Sequence, residues 1–119
     1  MKKINQINNK LKKISEVDKS DKSVAIEILK QLGGNRFIAM TGARNFVADG
    51  NRMMFKLPGT MTKNRINYIT ITLNVMDTYD IKFFNLRGDK IKVVEEVNGV
   101  YNDMLQSVIS DRTGLALSL

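Results

Sequence analysis

The stretch Tyr68-Ile69-Thr70-Ile71-Thr72-Leu73-Asn74-Val75 decides the fold class. Ile69, Ile71, Leu73 and Val75 fall on one side of it, and Tyr68, Thr70, Thr72 and Asn74 on the other. A period of two with one apolar side marks a strand that buries one face of a sheet. Working outward, residues 45–48 and 52–57 read as strands joined at Asp49-Gly50 or Gly50-Asn51, where a tight hairpin needs positive φ, and Pro58-Gly59 ends the second. Residues 36–41 read as a further short strand. Downstream, a turn at 76–78 leads into 79–86, where Tyr79, Ile81 and Phe83 alternate with Asp80, Lys82 and Phe84, and Arg87-Gly88-Asp89 returns the chain into 90–95. The expectation is an antiparallel meander of about five strands.

Helical periodicity brackets this sheet. Residues 1–19 place Ile4, Ile7, Leu11, Ile14 and Val17 three or four apart, among Lys2, Lys3, Lys10, Lys12 and Lys13, which predicts a basic amphipathic arm. From Ser23, the residues Val24, Ile28, Leu29 and Leu32 share a helix face, with Ser20 or Ser23 as the cap and Gly33-Gly34 as the stop. A closing helix is expected from an Asn98 cap, with Val100, Met104, Leu105 and Val108 on one face and Gly114 at its end. Strands bracketed by helices give an α+β, two-layer sandwich, organised as an arm over 1–19 and a single domain over 20–119.

Composition narrows the chemistry. The 119 residues include no Cys and no His, which removes disulfides, thiolate nucleophiles, cysteine-ligated metals and imidazole bases. Hydrophobic residues at 43% and charged residues at 26% place the chain among globular domains. Apolar runs such as Phe37 to Met40 fall far short of the roughly 20 residues a bilayer crossing needs. The Met1-Lys2-Lys3 start continues into Asn-rich sequence without an apolar stretch, so the expected location is the cytoplasm.

The net charge is +7, unevenly spread: nine basic and four acidic residues in 1–36, five and one in 37–75, and five and seven in 76–119. On residues 52–57, Arg52, Met54 and Lys56 share one strand face, with Met53, Phe55 and Leu57 on the other. Together with Arg36, Arg44, Lys63 and Arg65, and with Lys10, Lys12 and Lys13 of the arm, these cations are the candidate anion-binding surface. Such a surface attracts phosphates through counterion release, independently of sequence. Solvated lysines explain the same composition without a ligand. No RNP-type aromatic array, helix-turn-helix spacing or zinc motif accompanies the charge, which favours backbone binding over base readout.

Other motifs have plain alternatives. Asp80-Ile81-Lys82 matches the acidic-x-Lys element of Mg²⁺-dependent nucleases, with Asp49 or Asp77 as the second carboxylate; a cross-strand ion pair explains it equally well. Gly33-Gly34 and Gly42 fit helix stops better than a phosphate loop, and Arg87-Gly88-Asp89 fits a β-turn better than an integrin ligand. The seven Met residues suit core filling more than a partner surface. The arm lacks the Trp or Phe anchors of a membrane-surface helix.

The strings LGGNRFIAMTGARNF, NYITITLNVMDTYDIKF and IKVVEEVNGVYNDMLQ and the terminal TGL, spanning about Leu32 to Leu115, resemble a family of small proteins encoded by phages, prophages and other mobile elements. The resemblance implies a genetic setting in the host cytoplasm and no assigned reaction. The expectation is therefore a non-enzymatic accessory protein that binds nucleic acid or a host nucleoprotein complex, and so inhibits a defence nuclease such as a CRISPR or restriction enzyme. It takes no cofactor, no metal and no membrane, and a homo-oligomer is compatible with it. The alternatives are a protein-binding module without nucleic-acid contact and a Mg²⁺-dependent nuclease.

Overall fold

The computed structural model describes residues 22–115. The arm expected over 1–19, with Lys10, Lys12 and Lys13, lies outside the described residues, as does Ser20. In chain order the elements are α1 (Ser23–Leu32), α2 (Asn35–Thr41), β1 (Arg44–Asp49), β2 (Arg52–Lys56), 3-10 turns at Gly59–Met61 and Lys63–Arg65, β3 (Tyr68–Leu73), β4 (Tyr79–Arg87), β5 (Lys90–Val100), a 3-10 turn at Asn102–Met104, and α3 (Leu105–Thr113). The five strands form one open antiparallel sheet in the order β1-β2-β3-β4-β5, the expected α+β meander with a C-terminal helix.

The alternating stretch is the central strand. Ile69 and Ile71 are completely buried, and the register carries the same face through Met53 and Phe55 on β2 and Ile81 and Phe83 on β4. Ala25, Ile28, Leu29 and Leu32 of α1 and Leu105 and Ile109 of α3 close the core over this face. The Gln106 side-chain amide donates to the Leu32 carbonyl at 2.6 Å and locks the two helices together. Both two-residue hairpin turns begin with glycine at positive φ, Gly50 at 60° and Gly88 at 63°, as turns matched to strand twist require.

Several elements differ from expectation, each for a physical reason. Residues 36–41 are helical. A six-residue apolar run carries no decisive period, and the helix wins because Phe37 and Thr41, four apart, both turn inward. Phe37 meets the Phe55 ring edge-on at 5.5 Å, and the Thr41 hydroxyl donates to the Phe37 carbonyl at 2.7 Å. β5 runs on to Val100, five residues past its expected end, because two register shifts against β4 break the period of two that alternation relies on. Asn98 therefore lies in a strand, and α3 starts at Leu105. At α1 the cap position is Lys22, with no side-chain cap bond.

β3 stops at Leu73, so Val75, expected on the buried face of this strand, lies exposed in a turn, because Asn74 organises the following residues. Its side-chain oxygen accepts from the backbone N–H groups of Met76 at 2.8 Å and Thr78 at 3.2 Å, an Asx-type turn that competes with the ladder.

Phe55 touches both Phe37 and Phe46, with each ring pair 5.5 Å apart, at the junction of α2, β1 and β2. Phe55→Ala is expected to lower unfolding free energy by about 3–5 kcal/mol, measured as a lower denaturant midpoint at unchanged slope. A loss below about 1 kcal/mol would mean the ring cluster does not anchor the helix layer.

Candidate nucleic-acid interface

Because the helices occupy one side, the other side of the sheet has no covering layer among the described residues. The register aligns its side chains in rows across the strands. One row reads Arg44, Lys56, Tyr68, Phe84 and Val93; the next reads Val47, Met54, Thr70, Lys82 and Glu96; a third reads Asp49, Arg52, Thr72 and Asp80. Arg52, Met54 and Lys56 thus share the open face while Met53, Phe55 and Leu57 are buried.

The first row combines charge with aromatic surface. Tyr68 and Phe84 pack side by side with centroids 5.7 Å apart and a 56° tilt, each half-buried and presenting ring area to solvent. Lys56 precedes them on β2 and Arg44 on β1. Burial pushes the Tyr68 hydroxyl above its usual 10.0, against the opposing pull of the Arg52 guanidinium, so the ring is neutral throughout the ordinary pH range. Burial likewise raises Tyr79 on the opposite face. No acidic side chain shares this row.

Glu96 stands opposite Lys82 in the second row, and the other acidic groups of this face, Asp49 and Asp80, sit at its far end and are engaged there. Asp49 pairs with Arg52 at 3.0 Å, which takes Arg52 partly out of play as a free cation. Asp80 Oδ1 accepts from the Asn74 amide and from the Gly99 backbone N–H, both at 3.1 Å, so this carboxylate ties the β3–β4 turn to the end of β5. Asp49 and Asp80 sit three strand spacings apart, roughly 14 Å, too far to share a cation. Asp77 lies at the exposed turn tip. Among the described residues no group of three acidic side chains converges as a metal site.

The remaining candidate cations are elsewhere. Arg36 is exposed on α2, in the helix layer. The Lys63 ammonium donates to the Asp111 carbonyl at 3.2 Å and its stem packs on Gly114, so Lys63 fastens α3. Arg65 faces a cleft between the 59–67 loop and the β4–β5 hairpin. The basic residues thus divide into an open-face group, Arg44, Lys56 and Arg52, joined by Lys82, and a separate group around Arg65. Sequence offers Lys82 only within the Asp80-x-Lys82 nuclease element, and it does not single out Tyr68 and Phe84; the signal available for these two is an aromatic on the polar side of each of two alternating strands. No family model, no curated protein and no solved structure matches the chain.

Backbone geometry singles out Arg65. Asn64 and Arg65 both adopt left-handed conformations, with φ of 56° and 55°, inside a turn closed by the Ile66 N–H to the Lys63 carbonyl at 3.2 Å. Two successive positive φ angles favour Asn-Gly, so arginine occupies the position where glycine is least strained. Arg65→Gly is expected to leave stability unchanged or raise it by up to about 1 kcal/mol in thermal or denaturant unfolding. A clear loss would show that the side chain supports the fold.

Proposed function

We propose that the open face of the sheet binds single-stranded nucleic acid without catalysis, stacking bases on Tyr68 and Phe84 and meeting phosphates with Arg44, Lys56 and Lys82. The observation that carries this reading is the cross-strand row in which two cations run directly into an aromatic pair. Stacking on an aromatic is worth about 1–3 kcal/mol per base and tolerates any base, while cations track the backbone. A duplex keeps its bases stacked inside, so exposed aromatic rings suit the unstacked bases of a single strand. The charge gradient along the strands, basic at the Tyr68 end and acidic at the Asp80 end, orients the strand across the sheet near the first row. The resemblance adds a setting: an accessory protein of a phage or other mobile element that engages nucleic acid, or a host nucleoprotein complex such as a defence nuclease, in the host cytoplasm.

A second reading has its own support at the sheet edge. Ile91 is 71% exposed and Val93 is 52% exposed on the last strand, next to Phe84, and such an apolar margin suits a protein partner.

Fluorescence anisotropy with labelled oligo-dT and oligo-U separates the two. Affinity is expected to fall steeply with salt, and Tyr68→Ala and Phe84→Ala each to weaken binding by about 1–3 kcal/mol. Lys56→Glu weakens it further and flattens the salt slope. Variants that bind as the parent does, or no salt-dependent binding at all, would contradict the proposal. The Asp80→Ala variant should bind undiminished; a cleavage activity lost on that change would favour the nuclease instead.

A further inference from the structure

We infer that the cleft between the 59–67 loop and the β4–β5 hairpin is a second, separate site for a phosphate-bearing ligand, held by Arg65, Arg87 and Lys92. Two adjoining cavities of about 510 and 610 Å³ meet there, sharing Arg65 and Asn85 in their walls; Lys92 lines the first and Arg87 the second. These volumes lie in the range of small-molecule sites. In the register Asn85 pairs with Lys92, one residue out of phase with the Phe84 row, so these two side chains lie on the side of the sheet opposite the stacking face.

Charge identifies the ligand class. Neither wall contains an Asp or Glu, and among the described residues Arg65, Arg87 and Lys92 form no ion pair, whereas Arg52 and Arg112 do. Arg65 lines both cavities, Lys92 the first and Arg87 the second, and an anion seated there gains charge-assisted hydrogen bonds from cations that no carboxylate already holds. No aromatic lines either cavity, so recognition falls on phosphate and not on a stacked base. Thr60, Asn64 and Thr62 supply neutral polar groups along the walls.

The cleft is also preorganised. The Asn85 amide donates to the Arg65 carbonyl at 2.7 Å, and Asn67 exchanges two hydrogen bonds with the Leu86 backbone, at 2.9 and 2.7 Å. Loop and hairpin are thereby fixed to each other before any ligand arrives, which spares the ordering cost of binding. Arginine at a turn position suited to glycine is accounted for when its guanidinium is needed in the cleft.

Calorimetric titration with inorganic pyrophosphate at low salt tests this. Binding is expected in the parent, and the affinity should drop about tenfold or more in Arg65→Gly and in Arg87→Ala, since each loses a bidentate charged contact. Thermal unfolding of both variants confirms that they are folded, and Lys56→Glu on the open face should bind pyrophosphate as the parent does. Displacement by a nucleoside triphosphate but by no oligonucleotide would make the ligand a free nucleotide. Displacement by a 5′-phosphorylated oligonucleotide, but not by its hydroxyl-ended counterpart, would make it a strand terminus. No pyrophosphate binding, or the parent's affinity retained in both arginine variants, would overturn the site whatever the open face binds.

Discussion

The Phe37, Phe46 and Phe55 rings meet at one point of the inner sheet face, and that contact fixes which half of every alternating strand is inside. With Phe55 inward, Met53 and Leu57 follow it into the core, and Arg52, Met54 and Lys56 must point the other way. Register then propagates the choice: Ile69 and Ile71 inward on β3, Tyr68 and Thr70 outward; Ile81 and Phe83 inward on β4, Lys82 and Phe84 outward. A slip of one residue would exchange the faces, exposing the core and burying the cations, so the open face is as strongly specified as the core itself. The candidate surface is in this sense a by-product of packing: it is the face that the helices do not cover.

The sheet was legible because its central strands obey a simple period. Residues 68–73 and 79–83 alternate cleanly, and the Asp49-Gly50-Asn51 stretch is a strong hairpin signal, so the fold class and the division of residues 52–57 into two faces were readable. Misreadings fell where period and environment part company. The 36–41 run fits a strand or a helix equally well until Phe37 finds the Phe55 ring, which is a tertiary fact. The end of β5 was hidden by register shifts, and by Gly99 at φ 69° donating to Asp80 across 19 residues.

The candidate site was legible only in part, for a related reason. Arg52, Lys56 and Arg44 could be placed from strand parity, because parity is local. That Tyr68 and Phe84 touch depends on how strands 16 positions apart in sequence are aligned, and alternation alone does not set that alignment. The loop residues were less readable still. Lys63 and Arg65 are two apart, yet one fastens α3 and the other enters the cleft, because the left-handed Asn64-Arg65 turn reverses the chain between them. Net charge counts these cations alike; only the backbone separates a structural lysine from one that is free to bind.

Backbone amide shifts of the isotope-labelled protein, followed during titration with oligo-dT of about eight nucleotides, read out residue by residue which face meets the strand. Perturbations are expected to concentrate at Arg44, Lys56, Tyr68, Phe84 and Lys82 and to fade toward Asp49 and Asp80, with α1 and α3 silent. Shifts confined to the helix layer, or an unperturbed Tyr68–Phe84 pair under saturating oligonucleotide, would contradict binding at the open face.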